Sequence, residues 1–261
     1  MKNLIYFSPT SNSKIVGLSI AEGLDYQETF EINLTFPETK YEKILNKNSL
    51  NIISSPVYAG RIPAAFKSRL SEINGNGSYA ILAVTYGNRE FDDALIELYD
   101  FTIQQNFVPI ALCAFIGEHS YSNDDYPIAQ GRPDKKDLNE AKLFGRSIIN
   151  KLETTININK IIKSELVPGK RPYLEMPAFL NCSTKLENEK CTGCKECISA
   201  CPVQAIHYKQ KIIIDQSRCI RCCACIRKCK SNVLRLNDER IEAIRERLSK
   251  IIVRKKNLLL V

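Results

Sequence analysis

Two runs of cysteine near the C-terminal end constrain this chain more than any other feature. Cys191, Cys194, Cys197 and Cys201 are followed by Cys219, Cys222, Cys225 and Cys229. Within each run three cysteines stand three positions apart and a fourth follows after three more residues. Thiolates at that spacing in a tight loop wrap one metal–sulfur group from three sides. The fourth ligand then has to arrive from elsewhere in the fold.

This is the ligand spacing of bacterial iron–sulfur domains that hold two clusters. The segment resembles the 2[4Fe–4S] ferredoxins over about fifty residues, with Pro202 after the first run and Ala205-Ile206-His207-Tyr208 ahead of Lys211-Ile212-Ile213-Ile214-Asp215. In such domains the fourth cysteine of each run ligates the other cluster. The resemblance therefore implies one cluster on Cys191, Cys194, Cys197 and Cys229, and a second on Cys219, Cys222, Cys225 and Cys201. Structural zinc also uses four cysteines, but in pairs set well apart in sequence. Disulfides would need an oxidising compartment, for which the sequence carries no signal. Two positions depart from the ferredoxin pattern: Lys230 stands where a proline is usual, and Cys223 where a glycine is common. Neither removes a ligand. Cys223 reads as a spare thiol, with substitution for a neighbouring ligand as the alternative.

At 261 residues the chain is too long for that small domain alone, so a second domain is expected upstream. Of the 11 cysteines, eight lie in the runs, leaving Cys113 in an apolar stretch, Cys182 in a connector and Cys223. The opening Met1-Lys2-Asn3-Leu4-Ile5-Tyr6-Phe7 is too short for a signal peptide or a membrane span, so a cytoplasmic protein is expected. Exposed low-potential clusters imply an anaerobic host.

The formal charge of +8 divides unevenly: −2 for residues 1–180 and +10 for residues 181–261. Cluster ligation deprotonates the thiols and lowers the second figure to about +6. Between Asp238 and Arg254, Ile241, Ile244, Leu248, Ile251 and Ile252 follow helical spacing while acidic and basic residues alternate around them. That pattern predicts an amphipathic helix docked on the protein and no nucleic-acid contact.

Residues 1–155 alternate strand-like and helix-like stretches. Strands are expected at Leu4–Phe7, Thr29–Leu34, Leu50–Ser54, Tyr79–Thr85 and Phe107–Ile116, and helices at Ser13–Leu24, Ala64–Ile73, Asp92–Gln104 and Asp137–Leu152. Such alternation implies an α/β fold, a doubly wound five-stranded parallel sheet covered on both faces. Ligands of these sheets bind beyond the carboxyl ends of the strands.

The first such loop is Ser8-Pro9-Thr10-Ser11-Asn12-Ser13, whose hydroxyls and helix N-terminal N–H groups form a phosphate cradle; serine and threonine are also ordinary helix caps. It resembles the FMN phosphate loop of flavodoxins at Ser8, Thr10 and Ser13, with Ser11 in place of a glycine. The resemblance continues in Ser54-Ser55-Pro56-Val57-Tyr58-Ala59-Gly60-Arg61 and in Thr85-Tyr86-Gly87-Asn88-Arg89, at the positions of the two flavodoxin loops that sandwich the flavin ring. It implies FMN as cofactor and Tyr58 and Tyr86 as ring contacts. After the fifth strand, Gly117-Glu118-His119-Ser120-Tyr121-Ser122 lies at the same sheet end, where a histidine titrating near 6.5 would suit proton delivery or simply face solvent.

The chain thus resembles flavodoxin–ferredoxin fusion proteins of anaerobic bacteria and archaea: a flavodoxin-like domain at 1–155, a linker at 156–183, a 2[4Fe–4S] ferredoxin domain at 184–237 and a C-terminal helix and tail at 238–261. The resemblance implies electron transfer between two [4Fe–4S] clusters and FMN, coupling one-electron to two-electron redox partners, with no side-chain acid or base required. An FMN-dependent reductase of a small substrate, fed by its own ferredoxin domain, is the alternative. A ferredoxin with a mere docking module upstream is a third reading. No Gly-x-Gly-x-x-Gly fingerprint is present, which speaks against direct nicotinamide binding. Redox protein partners follow from this reading, and a homodimer or a domain movement is required if flavin and cluster stand too far apart within one chain.

Overall fold

Successive residues of the first strand point to opposite faces, and both faces are buried. Leu4 and Tyr6 pack with one layer, Ile5 and Phe7 with the other. The computed structural model describes residues 1–25, 28–37, 40–154, 161–175, 184–186 and 190–261. Its first part runs β1 (Lys2–Tyr6), α1 (Asn12–Gly23), β2 (Thr29–Asn33), β3 (Leu50–Pro56), α2 (Ala64–Leu70), β4 (Tyr79–Tyr86), α3 (Ala94–Gln104), β5 (Val108–Ile116) and α4 (Lys135–Thr154). The five strands pair in parallel in the order β2-β1-β3-β4-β5. That is the flavodoxin-like order, with its switch point between β1 and β3. Phe66 and Leu70 of α2 and Leu95 and Leu98 of α3 cover one face. Val16 and Ile20 of α1 and Ala141, Phe144 and Ile148 of α4 cover the other.

The backbones of α1 and α4 touch at two glycines. A Cβ on Gly23 would fall on the Lys142 carbonyl, and one on Gly145 on the Ile20 carbonyl. Neither carbonyl can rotate aside, because each belongs to a helix.

Residues 161–175 form a strap along α3. The Ile162 N–H donates to the Pro109 carbonyl (2.9 Å), and the Lys170 and Leu174 N–H groups donate to the two oxygens of the Asp93 carboxylate (2.8 and 2.7 Å). Tyr173 and Arg171 both donate to Asp100. The expected linker is therefore, where described, fixed to the sheet domain. Residues 155–160 and 176–183, Cys182 included, lie outside the described residues.

The cysteine-bearing part contains β6 (Lys185–Leu186), α5 (Glu196–Ser199), β7 (Ile206–Lys209), β8 (Lys211–Ile214), α6 (Ala224–Lys228), β9 (Leu234–Arg235), α7 (Glu239–Ser249) and β10 (Leu258–Leu260). β7 and β8 form an antiparallel hairpin, and β6 pairs with β9. The two runs share one backbone path. Left-handed residues occur at Gly193 and Arg221, at Lys195 and Cys223, and at Gln204 and Asn232. Each pair is separated by the same 28 positions that separate Cys191 from Cys219.

The last helix is shorter than its apolar spacing predicts. Asp238 caps it by accepting from the Arg240 N–H (3.1 Å), Ile241 and Leu248 are buried, and it stops at Ser249, so Ile251 and Ile252 fall beyond it. The tail then returns to the sheet. β10 pairs antiparallel with β5, adding a sixth strand to the five expected. Asn257 accepts from the Ile116 N–H (3.1 Å) and donates to Asp137 and Glu140, while Arg254 pairs with Asp134 (2.6 Å).

Gly145→Ala gains about 1 kcal/mol of helix propensity but forces the methyl into a backbone carbonyl. The expected outcome is a net loss of about 1–3 kcal/mol, read by urea unfolding of the full chain.

Candidate functional site

Four loops meet beyond the carboxyl ends of β1, β3, β4 and β5, and short hydrogen bonds tie them together. The Ser13 and Thr85 hydroxyls lie 2.6 Å apart, Ser54 Oγ donates to the Ser13 carbonyl (2.8 Å), and the Val57 N–H donates to the Thr85 carbonyl (2.8 Å). Asn12 Nδ2 donates to the Glu118 carbonyl (3.1 Å), joining the first loop to the fourth.

In the first loop Ser8 Oγ accepts from the Lys14 N–H (3.0 Å) and Ser13 turns inward to Thr85. Thr10 is half-buried and Ser11 exposed, at the start of a twelve-residue helix whose first N–H groups have no intrahelical acceptor. Ser11 has φ 72°, in the left-handed region. The flavodoxin loop places its glycine at this position, and the backbone here shows why: the turn requires a conformation that glycine enters freely.

The second loop closes as a tight hairpin. The Tyr58 N–H donates to the Arg61 carbonyl (2.9 Å) and the Arg61 N–H returns a bond to Tyr58 (3.1 Å), with Ala59 and Gly60 both at positive φ. Arg61 forks onto Glu97 of α3 at 2.7 and 2.8 Å, and Glu97 also accepts from the Ile62 N–H. Ser55 is buried, and Pro56 and Val57 are half-buried on the way to the turn.

Tyr58 has its ring packed on the core face that also receives Ile220, from the second cysteine run. Its hydroxyl is fully buried and without a hydrogen-bond partner. Burial pushes it well above the usual phenol range, and the charges facing it are Cys222, Cys223, Tyr121 and Arg227. Tyr86, by contrast, is 6% exposed and packs edge-on against Phe91 at 5.5 Å. Its ring belongs to the core.

In the third loop Asn88 is buried at φ 63°. Its Nδ2 donates to the Ile251 carbonyl (2.9 Å), and its Oδ1 has no partner. Gly87 is covered by the His119 ring, which lies where a Cβ would stand. Arg89 is exposed and paired with Asp92. His119 Nδ1 accepts from the Tyr121 N–H (3.0 Å), which leaves that nitrogen without a proton. Burial, then Arg227, Arg89 and Arg245, push its pKa down to about 4. A neutral imidazole at neutral pH is a packing group and not a proton carrier.

The cysteines gather as two sets. Cys197 feels the charges of Cys194, Cys191 and Cys229, whereas Cys225 feels those of Cys219 and Cys201 ahead of Cys197. Their surroundings are apolar: Ala205, Ile206, Ile212 and Leu234 pack with Cys197, Cys201 and Cys225. Cys201, Cys219, Cys222 and Cys225 line one recess, open in part to solvent. The Ala205 N–H donates to Cys201 Sγ (3.2 Å), and Thr184 Oγ1 lies 3.7 Å from Cys225 Sγ. Among the described residues no three of His, Cys, Asp or Glu converge as they would on a single ion.

Cys223 occupies the left-handed position at the start of α6, the position Lys195 holds in the first run. Its thiol is buried against Leu236 and Ile241, and burial pushes its pKa up to about 12. It is a protonated core residue. Lys230 is exposed and pairs with Glu196 at 2.7 Å, a contact of small energetic weight.

The end of the first run, the helix within the second and the helix that follows it all reach the sheet end, while Cys194 faces outward. Arg69 of α2 donates to the Pro202 carbonyl (2.6 Å), which follows Cys201, and also to the Leu34 and Thr35 carbonyls. Arg227 reaches the His119 carbonyl, and Arg245 Nε donates to the Tyr121 carbonyl (2.9 Å). Cys194 is exposed, and Cys191 and Cys229 are half-buried. The sequence contained the tyrosine and the cysteines but gave no sign that the charges of Cys222 and Cys223 act on Tyr58, because over 160 positions separate them.

Residues 183–242 match a family described as the 4Fe-4S dicluster domain. An uncharacterized protein of Methanocaldococcus jannaschii is 46% identical over 50 residues, 19% of this chain and 19% of that protein. The matched stretch thus spans about a fifth of this curated relative. Among solved structures, a flavodoxin from the domain Archaea is similar at 18% identity and a TM-score of 0.43, over 59% of this chain and 99% of that one. Fusobacterium nucleatum flavodoxin bound to flavin mononucleotide is similar at 14% identity and a TM-score of 0.37, over 59% and 96%. Among the described residues no helix is long and apolar enough to cross a membrane. The strand order and the dicluster match together support an electron-transfer role.

Ser11→Gly removes the left-handed strain, about 1–2 kcal/mol, and returns part of it as unfolded-chain entropy. The expected outcome is a gain of up to about 1 kcal/mol, seen as a higher Tm.

Proposed function

We propose that this chain, a flavodoxin-like sheet joined to a 4Fe-4S dicluster domain, carries two [4Fe–4S] clusters and FMN and passes electrons between them. The observation that carries this reading is the contact of the cysteine-bearing segment with the flavin-loop end of the sheet, through Ile220 of the second run on the core face that Tyr58 packs against and Pro202, just after the first run, on Arg69. A separate docking module would not need its cysteine loop at that end.

The residues fit both groups. Cys191, Cys194, Cys197 and Cys229 would hold one cluster, and Cys219, Cys222, Cys225 and Cys201 the other, a division supported by the two charge-coupled sets. The Ala205 N–H and Thr184 hydroxyl, aimed at ligand sulfurs, would tune the second. For FMN, Thr10, Ser11 and the first N–H groups of α1 would hold the phosphate, with Ser8 and Ser13 shaping the loop. Asn88 Oδ1, buried without a partner, would accept from a flavin ring N–H. Ser55 to Gly60 and Thr85 to Arg89 would flank the ring, with Gly87 contributing backbone.

Iron–sulfur clusters pass one electron at a time, whereas a flavin holds one or two and takes up protons at its ring. This chain's residues orient and shield the groups. Glu97 fixes the second loop through Arg61, and Tyr86 with Phe91 closes the core beneath the third. With His119 neutral, protons would reach the ring from solvent.

Iron, sulfide and flavin analysis of the full chain purified without oxygen tests the reading. The expected outcome is about eight irons, eight sulfides and one FMN per chain, with no NAD(P)H consumption by the protein alone. Clusters without flavin would reduce it to a ferredoxin with a docking domain. NAD(P)H consumption would favour a reductase acting on a small substrate.

A further inference from the structure

The Tyr58 hydroxyl is one of two buried side-chain polar atoms left without a partner among the described residues. A buried phenol normally finds an acceptor, and leaving it unpaired costs about 1–3 kcal/mol. A phenylalanine would pack the same ring without that cost. The hairpin at Ala59–Gly60 and the Arg61–Glu97 fork hold the Tyr58 backbone rigidly, so the orphan does not arise from a loose loop. The ring packs against the same core cluster as Ile220, which lines the recess of Cys201, Cys219, Cys222 and Cys225, and the charges acting on the hydroxyl include Cys222 and Cys223. Of these two, Cys223 is packed into the Leu236 and Ile241 core, with its Sγ 3.6 Å from the Arg221 carbonyl. What the hydroxyl lacks is a sulfur acceptor on the side of Cys222.

We infer that Tyr58, from the flavodoxin-like sheet, donates a hydrogen bond to a sulfur of the group held by Cys201, Cys219, Cys222 and Cys225, which makes this group the inner one. The group held by Cys191, Cys194, Cys197 and Cys229 is then the outer one, where Cys194 is exposed and a protein partner would dock. A donor aimed at a cluster sulfur stabilises the more negative, reduced form and raises its potential. The tyrosine is therefore a positioning and tuning residue supplied by one domain to the metal group of the other. The inference rests on the iron–sulfur reading above.

The test is Tyr58→Phe in the full chain, with iron and sulfide measured before anything else. Incomplete loading of the unmodified protein would count against the iron–sulfur reading itself. With both clusters loaded, an EPR-monitored redox titration is expected to show one midpoint moved to more negative potential and the other unchanged. Thr184→Val, which removes the hydroxyl beside Cys225, is expected to move the same midpoint. Neither midpoint moving, both moving together, or the two variants moving different midpoints would overturn the inference. A second readout needs only loaded protein. Pulsed EPR of the reduced inner cluster should show an exchangeable proton coupling that vanishes in heavy water and is missing from Tyr58→Phe, and no difference between the two proteins would also overturn it.

Discussion

The return of the chain to its own sheet is the constraint on which the rest of the molecule depends. After β5 and α4 the chain crosses α3 as a strap pinned to Asp93 and Asp100, builds the cysteine-bearing segment, and comes back to pair β10 with β5. Both ends of the segment are thus attached to the β5 side of one sheet. A segment tethered at one end would sample many orientations. One tethered at both loses most of that freedom, and the contacts of Arg69, Arg227 and Arg245 have only to select among those that remain. The carbonyls that these arginines reach are in loops or follow ligand cysteines, so the docking is written largely in backbone geometry.

Duplication explains the interior of that segment. Two runs with the same ligand spacing and the same three left-handed positions make two similar half-sites. Their surroundings then diverge. The second run has Cys223 buried and Ile226 half-buried against α7 and Tyr121, while Glu196 of the first run pairs with the exposed Lys230. Ligands that are alike in sequence therefore sit in unlike dielectric surroundings. Burial, donor count and access to solvent all shift reduction potential, so an asymmetric environment converts a duplicated motif into two distinct redox positions.

The strands and the dicluster segment were legible because their signals are local. Apolar runs such as Leu50–Ser54 can only be buried on both faces of a parallel sheet, and cysteine spacing is a direct record of ligand reach. The left-handed turns at Ser11 and Cys223 were visible as departures from a glycine pattern, though their conformation was not. β10 escaped notice because three leucines in a basic tail carry no period, and its partner β5 lies over 140 positions away. The last helix was drawn too long, because Ile251 and Ile252 continue the helical spacing after the chain has turned away. His119 looked like a surface group from its loop. Its burial beneath three arginines and over Gly87 depends on tertiary packing that no single loop records.

Buried polar groups with no partner are scarce in folded proteins, since each forfeits its hydration without return. Among the described residues the side chains left in that condition are Tyr58 and Asn88. They follow β3 and β4, which are adjacent strands of the sheet. One is a donor and the other an acceptor, yet each has protein atoms packed around it and neither bonds to them. Random packing faults would scatter through the molecule and would be relieved by ordinary substitution to phenylalanine or leucine. Their concentration at one end of one sheet indicates groups reserved for something bound there. A sulfur acceptor beside Cys222 would satisfy the phenol, and a ring N–H would satisfy the amide oxygen, an arrangement that would put the two kinds of redox group on neighbouring loops of a single rigid scaffold.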